Sequence, residues 1–128
     1  MRILLDTNIY LDLLQHRIPF QTETLELLKL DNDYGITATT ITDLVYLTRK
    51  TPNIFELLQI FLDPFTIFTV NAEVIQRAFN SKITDFEDAV QEQSALLNGA
   101  VAIITRNKKD FVNSILPVYT PTEWLNKG

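Results

Sequence analysis

At 128 residues the chain is long enough to bury about two-thirds of its unfolded surface in one core and too short for two full domains. Hydrophobic residues make up 46% and charged residues 21%, which excludes a disordered chain. A net charge of -5 excludes broad electrostatic attraction to phosphate backbones, and the absence of cysteine excludes disulfides, thiolate zinc sites and a cysteine nucleophile.

The first residues, Met1-Arg2-Ile3-Leu4-Leu5-Asp6, reach a carboxylate too early for a signal or membrane segment, so an unexported protein of the reducing cytoplasm is expected. Ile3 to Leu5 reads as a strand buried on both faces, ending in the cap-forming Asp6-Thr7-Asn8, and a helix follows from about Asn8 to Gln15 with His16 closing it. Leu25, Leu28 and Leu30 mark a second helix, stopped by the turn-prone run Asp31 to Gly35, after which Ile36 to Ala38 is a strand. Thr39 to Thr42 cap a helix with Leu44, Val45 and Leu47; Pro52 suits the first turn of the next, which carries Leu57, Leu58, Phe61 and Leu62, more apolar surface than one stripe needs. Phe65 to Val70 reads as a strand, followed by a helix through Val74, Ile75, Ala78 and Phe79. Asp85 and Asp88 have the spacing of a cap and its third helical residue, opening a helix that ends near Gly99. Val101 to Ile104 is another apolar strand, then comes a short helical turn, Val118-Tyr119 as a last strand, and a turn after Pro121. This alternation predicts a single α/β domain over residues 1–128, a three-layer α/β/α sandwich with a short, mainly parallel sheet.

Open parallel sheets bind ligands at the carboxyl ends of their strands. Asp6, Asn107 and Asp110 follow two of the strands, and Asp43 and Asp88 fall in helices where they can point at the same edge. Carboxylates gathered there repel one another unless a divalent cation neutralises them, and oxygen-only ligands suit magnesium or manganese. Each acid alone also has a plainer reading: Asp6 and Asp85 as helix caps, Asp43 as a solvated helix residue, Asn107 with Asp110 as a capped turn.

Three segments, Leu4-Leu5-Asp6-Thr7-Asn8, Asp85-Phe86-Glu87-Asp88-Ala89-Val90-Gln91 and Ile104-Thr105-Arg106-Asn107-Lys108-Lys109-Asp110-Phe111, together resemble the motifs of PIN-domain ribonucleases, of the kind found as VapC-like toxins of toxin–antitoxin pairs. The resemblance spans nearly the whole chain. It implies a metal-dependent endonuclease acting on RNA, with Asp6 and Asp88 as metal ligands, an antitoxin partner and a homodimer. Two positions depart from the family pattern: Asp43 stands where Glu is usual, and the fourth acidic position is the neutral Asn107, with Asp110 nearby as a replacement. Thr7, Asn8, Thr105 and Asp85 are expected to orient the ligands, and Arg106, Lys108 and Lys109, the basic cluster beside the site, to grip RNA phosphates, with Arg49 and Lys50 as a second candidate. Replacing Asp6 or Asp88 by Asn is expected to leave the metal-free fold as stable as before. A degenerate PIN-like module that binds RNA or protein, or an aspartyl-nucleophile phosphatase, remains an alternative.

Overall fold

The computed structural model describes residues 1–127. Five strands, β1 (Arg2–Leu5), β2 (Asp33–Thr37), β3 (Thr66–Phe68), β4 (Ala102–Ile104) and β5 (Val118–Tyr119), form one sheet in the order β3-β2-β1-β4-β5. Every neighbouring pair is parallel. After β1 the chain moves to one side for β2 and β3 and later returns to the other for β4 and β5, so the order reverses around β1. A crevice at the carboxyl ends of β1 and β4 is where this topology puts a ligand.

Seven helices cover the sheet: α1 (Thr7–Leu14), α2 (Phe20–Leu28), α3 (Ala38–Leu47), α4 (Ile54–Leu62), α5 (Ala72–Phe79), α6 (Phe86–Leu97) and α7 (Pro121–Leu125), with a 3-10 turn at Lys108–Phe111. Strand alternation divides the core in two. Ile3, Leu5, Ile36 and Ile104 pack with Ile9 and Tyr10 of α1, Leu27 of α2, Leu44 of α3, Leu58 of α4 and Trp124 of α7. Leu4, Ile103 and Phe68 pack on the opposite side with Val74 and Ala78 of α5 and Ala89, Val90 and Ala95 of α6. The result is the three-layer sandwich expected, with the sheet wholly parallel.

Several boundaries differ from the sequence reading. β2 starts at Asp33, inside the run read as a turn, because the Asp33 carboxylate accepts hydrogen bonds from Arg2 Nε at 2.7 Å and Thr66 Oγ1 at 2.5 Å, one on each neighbouring strand. Ala38 is the first residue of α3 and not strand, since Thr37 caps that helix through its hydroxyl. β3 is confined to Thr66–Phe68, and Val101 lies outside β4 and is exposed. Pro52 precedes α4, whose cap residue Asn53 has a left-handed φ of 57°.

α6 is fixed at both ends and along its buried face. Its start is capped by Asp85, and after its last residue Leu97 and the cap Asn98 comes Gly99, whose φ of 79° allows Ala100 N–H to reach back to Ala95 O. The buried Glu92 accepts from Ser81 Oγ, Gln93 Nε2 and Ile115 N–H at 2.8–2.9 Å, which ties two loops to this helix.

Gly35 marks a close approach in the sheet. A Cβ built there would lie 2.1–2.6 Å from ring atoms of Phe68, which is fully buried and has no room to withdraw. Gly35→Ala is therefore expected to destabilise the protein by about 1–3 kcal/mol, and Phe68→Leu in the same chain to restore part of it, as read by urea unfolding. Equal midpoints for wild type and Gly35→Ala would show that the ring moves freely.

Candidate active site

Asp6 is the residue after β1 and the cap of α1, and its amide continues the sheet ladder by donating to Ile104 O at 2.9 Å. Its carboxylate is only 5% exposed. Oδ1 accepts from Thr7 N–H and from Gln91 Nε2, and Oδ2 accepts from Thr105 Oγ1, each at 2.7 Å. Burial raises its pKa above the ordinary carboxylate value, and those hydrogen bonds oppose the rise without cancelling it. The local sequence explains this geometry: an apolar strand buried on both faces delivers a capping carboxylate to the first turn of a helix, and α6 and β4 close over it.

α6 brings a second set of acids. The Asp85 side chain accepts from Asp88 N–H at 3.1 Å, the cap expected from their spacing. That bond leaves the Asp88 carboxyl free, and its pKa is pushed up to about 7 by burial first, then by Asp6, Asp85, Asp110 and Glu87. Glu87 reaches across to α3: its carboxyl hydrogen-bonds that of Asp43, and this bond, then burial, then the charges of Asp43, Asp85 and Asp6 push it up to about 7. The start of α3 is fixed to that of α1 by a hydroxyl chain, with Thr37 Oγ1 donating to Thr40 Oγ1 at 2.9 Å and Thr40 sharing a 2.8 Å hydrogen bond with Thr7 Oγ1.

After β4, Thr105 Oγ1 donates to Asp6 and accepts from Asn107 N–H at 3.0 Å and from Asn8 Nδ2 at 3.4 Å. Asn107 Nδ2 donates to Asp110 Oδ2 at 2.7 Å, so these two residues act as a pair, and the Asp110 charge is felt at both Asp6 and Asp88. The shared electrostatic influence places Asp6, Asp43, Asp85, Glu87, Asp88 and Asp110 at one edge of the sheet, with Asn107 beside them.

No curated protein sequence matches the chain. The profile of the PIN domain matches residues 2–109, most of its length. The chain belongs to the PIN-domain family. Solved structures agree in fold: a toxin–antitoxin complex from Klebsiella pneumoniae aligns at 26% identity with a TM-score of 0.72, over 93% of this chain and 97% of that one. A VapBC2 complex from Rickettsia felis bound to a DNA fragment from its promoter aligns at 22% identity and 0.72, over 94% and 98%. VapBC-1 from nontypeable Haemophilus influenzae aligns at 18% identity and 0.71, over 95% and 99%. PIN domains are generally nucleases that use a divalent metal.

Of the basic residues expected to face RNA, Arg106 is engaged elsewhere. Its guanidinium binds the Asp12 carboxylate of α1, Nε to Oδ2 at 2.5 Å and Nη2 to Oδ1 at 3.2 Å, and lies 4.1 Å from the centre of the Phe20 ring. Lys108 pairs with Glu123 at 3.2 Å across a half-exposed contact worth little, and Lys109 is exposed. Arg49 is stacked on Tyr46, and it and Lys50 follow α3 at the end remote from its Thr37 cap, away from the acids of this PIN domain.

Two residues that meet these acids carry no role in the sequence reading, Glu87 and Gln91. Both lie in a segment quoted for the family likeness, and the signal was helical spacing: positions 87, 88 and 91 share one face of α6. Gln91 is 2% exposed, and its Oε1 is a buried oxygen without a hydrogen-bond partner among the described residues. An unpartnered oxygen beside Asp6, a donor set made only of oxygens, and carboxyls lifted toward 7 by burial and by neighbouring acids fit a hard divalent cation. Among the described residues no three acidic or histidine side chains already surround one point as a metal site would, so ligation requires side chains to turn inward.

Proposed function

We propose that residues 1–128 act as a single PIN domain that hydrolyses RNA phosphodiester bonds with magnesium or manganese, as the toxin of a toxin–antitoxin pair in the cytoplasm. The observation that carries this reading is the gathering of acids at the sheet's switch point, where burial raises the pKa of Asp6 and burial together with the charges of Asp6, Asp85, Asp110 and Glu87 raises that of Asp88. When bound, the ion lowers the pKa of a water and absorbs charge on the phosphate. Asp6, Asp43 and Asp88 would hold it, with Asn107 or Asp110 completing the set. Thr7, Asn8, Thr105 and Asp85 fix the orientation of those side chains, and Lys108 and Lys109 offer charge to the RNA backbone. Lys108 can exchange Glu123 for a phosphate at small cost because the pair is exposed.

The deciding experiment incubates the purified protein with a mixed RNA pool in manganese and in chelator. Cleavage in manganese alone supports the reading. The absence of a preformed three-acid centre among the described residues favours the runner-up, a non-catalytic module, and RNA left intact in both conditions would establish that instead.

The partners follow from surface chemistry and from the toxin–antitoxin complexes that share the fold. Tyr46 and Leu47 of α3 and Phe55, Leu57 and Ile60 of α4 are exposed, an apolar surface suited to a second copy or to an antitoxin helix. An antitoxin's basic residue would complement the acidic crevice. No described helix is long and apolar enough to cross a membrane.

The neutral Asn107 gives this site one charge fewer than the usual family arrangement, so Asn107→Asp is expected to lower the manganese concentration for half-maximal cleavage, and Asp110→Asn to raise it. Superimposed titrations for wild type and both variants would remove the pair from the site.

A further inference from the structure

The Asp6 carboxylate is gripped at both of its oxygens. An ionised carboxylate offers about four lone-pair positions, and three are filled here: two on Oδ1, by Thr7 N–H and Gln91 Nε2, and one on Oδ2, by Thr105 Oγ1, each at 2.7 Å. The Thr105 hydroxyl accepts from Asn107 N–H and Asn8 Nδ2, so its single proton is committed to Oδ2. The position left open is on Oδ2. Bonds from Gln91 and Thr105 to opposite oxygens also fix the plane of the carboxylate, which could otherwise turn about its last torsion. The Gln91 side chain is 2% exposed, and its Oε1 is buried with no partner among the described residues, which carries a desolvation cost. A methionine would fill the same space without that cost. What the amide supplies in return is the bond from Nε2 to Asp6. Gln91 lies three residues after Asp88 on the same face of α6, so one helical turn carries both an acid of the site and the donor that orients another.

We propose that Gln91 sets the ion selectivity of this site: by closing Oδ1 it restricts Asp6 to ligation through Oδ2 alone, which favours a small octahedral cation over calcium. This rests on the metal-dependent reading above and adds the residue that decides which ion fits. Gln91 acts through Asp6 and is a positioning residue. Magnesium holds a near-octahedral oxygen set at about 2.0–2.1 Å and takes few carboxylates, and manganese suits the same set. Calcium takes about six to eight oxygens at about 2.3–2.6 Å and gains from carboxylates that lend both of theirs. An Asp6 whose plane is fixed and whose Oδ1 is filled denies it that second oxygen.

The test reads metal binding apart from cleavage. Manganese bound to the purified protein is measured by the loss of its free-ion paramagnetic resonance signal and is then displaced with magnesium or with calcium. In Gln91→Met the ratio of calcium to magnesium concentrations that displace half the manganese should fall about tenfold relative to wild type. Gln91→Asn, whose amide stops one methylene short of Asp6, should give the same ratio. The metal-free methionine variant should melt close to wild type, because the lost bond is offset by removal of an oxygen that had no partner. The two variants are independent, so a fold lost in one leaves the other to decide. An unchanged ratio with manganese still bound overturns the role of Gln91 and leaves metal-dependent cleavage by wild type to stand on its own. Weakening of all three ions by one factor also overturns it and makes Gln91 a packing residue. Wild type that binds no manganese, or that binds it no better than Asp88→Asn does, overturns this inference and the metal-dependent reading together.

Discussion

Asp88→Asn is expected to lower metal-dependent RNA cleavage by on the order of a hundredfold or more, and to raise the melting temperature of the metal-free protein at pH 7. The two effects have one cause. In the folded protein burial and four neighbouring acids hold the Asp88 carboxyl at about 7, whereas in the unfolded chain it titrates near an ordinary 3.8. Between those values the folded state keeps a proton that the unfolded state has released, so wild-type stability falls as pH rises through the window and levels off above it. Asn carries no such penalty. The melting temperatures of variant and wild type should therefore coincide near pH 4, separate as pH rises to 7, and stay apart beyond. Manganese should raise the wild-type value and leave the variant's nearly unchanged, since a ligand that binds only the folded state stabilises it in proportion to its affinity. A variant that cleaves normally, or that melts well below wild type at pH 7 in chelator, would make Asp88 a structural residue.

Asp6 is a less clean test than the sequence suggests. Its charge loss by Asn should also abolish cleavage, but Oδ2 is the acceptor for Thr105 Oγ1, and that hydroxyl already accepts from Asn107 N–H and Asn8 Nδ2. An amide NH2 placed there adds a third donor to one oxygen and leaves the hydroxyl proton without an acceptor, so Asp6→Asn should lose stability where Asp88→Asn gains it.

The parts of the site that could be read from sequence are those made by local rules. Asp6 ends an apolar strand and caps the helix after it, and Asp85 caps α6 three residues before Asp88, so in both cases the spacing alone carries the information. Gln91 and Glu87 are not legible because their partners, Asp6 and Asp43, come from the cap of α1 and from α3, and nothing in a single helix tells which of its faces will meet another element. The start of β2 was hidden for the same reason. Asp33 and Gly35 have low strand propensity, and what overrides it is Arg2, Thr66 and the Phe68 ring on neighbouring strands. Topology, which depends on the order of buried runs, is thus more legible than pairing between charged groups far apart in the chain.

Arg106 shows how large that difference is, and Arg106→Met is expected to destabilise the protein by about 3 kcal/mol. The sequence places Arg106 in a basic cluster facing RNA, yet its partner Asp12 lies 94 residues earlier and is fully buried, while the Arg106 side chain is 27% exposed. The guanidinium closes over Asp12 with two hydrogen bonds, and methionine would preserve its packing on Phe20 but leave the buried carboxylate without either of them. Arg17 cannot take over, because it approaches Asp12 only to 3.9 Å from a side chain 43% exposed. Arg106→Lys keeps the charge without the fork, and its loss should fall between methionine and wild type. Adding Asp12→Asn to Arg106→Met removes the stranded charge and should recover part of the stability, a coupling that a double-mutant cycle in urea measures directly. If Arg106 instead served mainly as a phosphate contact, Arg106→Met would unfold at the wild-type urea midpoint and bind RNA more weakly at low salt, with the deficit shrinking as salt rises. Unfolding at a lower midpoint, with the cycle closing on Asp12, assigns Arg106 to the scaffold that carries Thr105 to Asp6 and leaves the RNA backbone to Lys108 and Lys109.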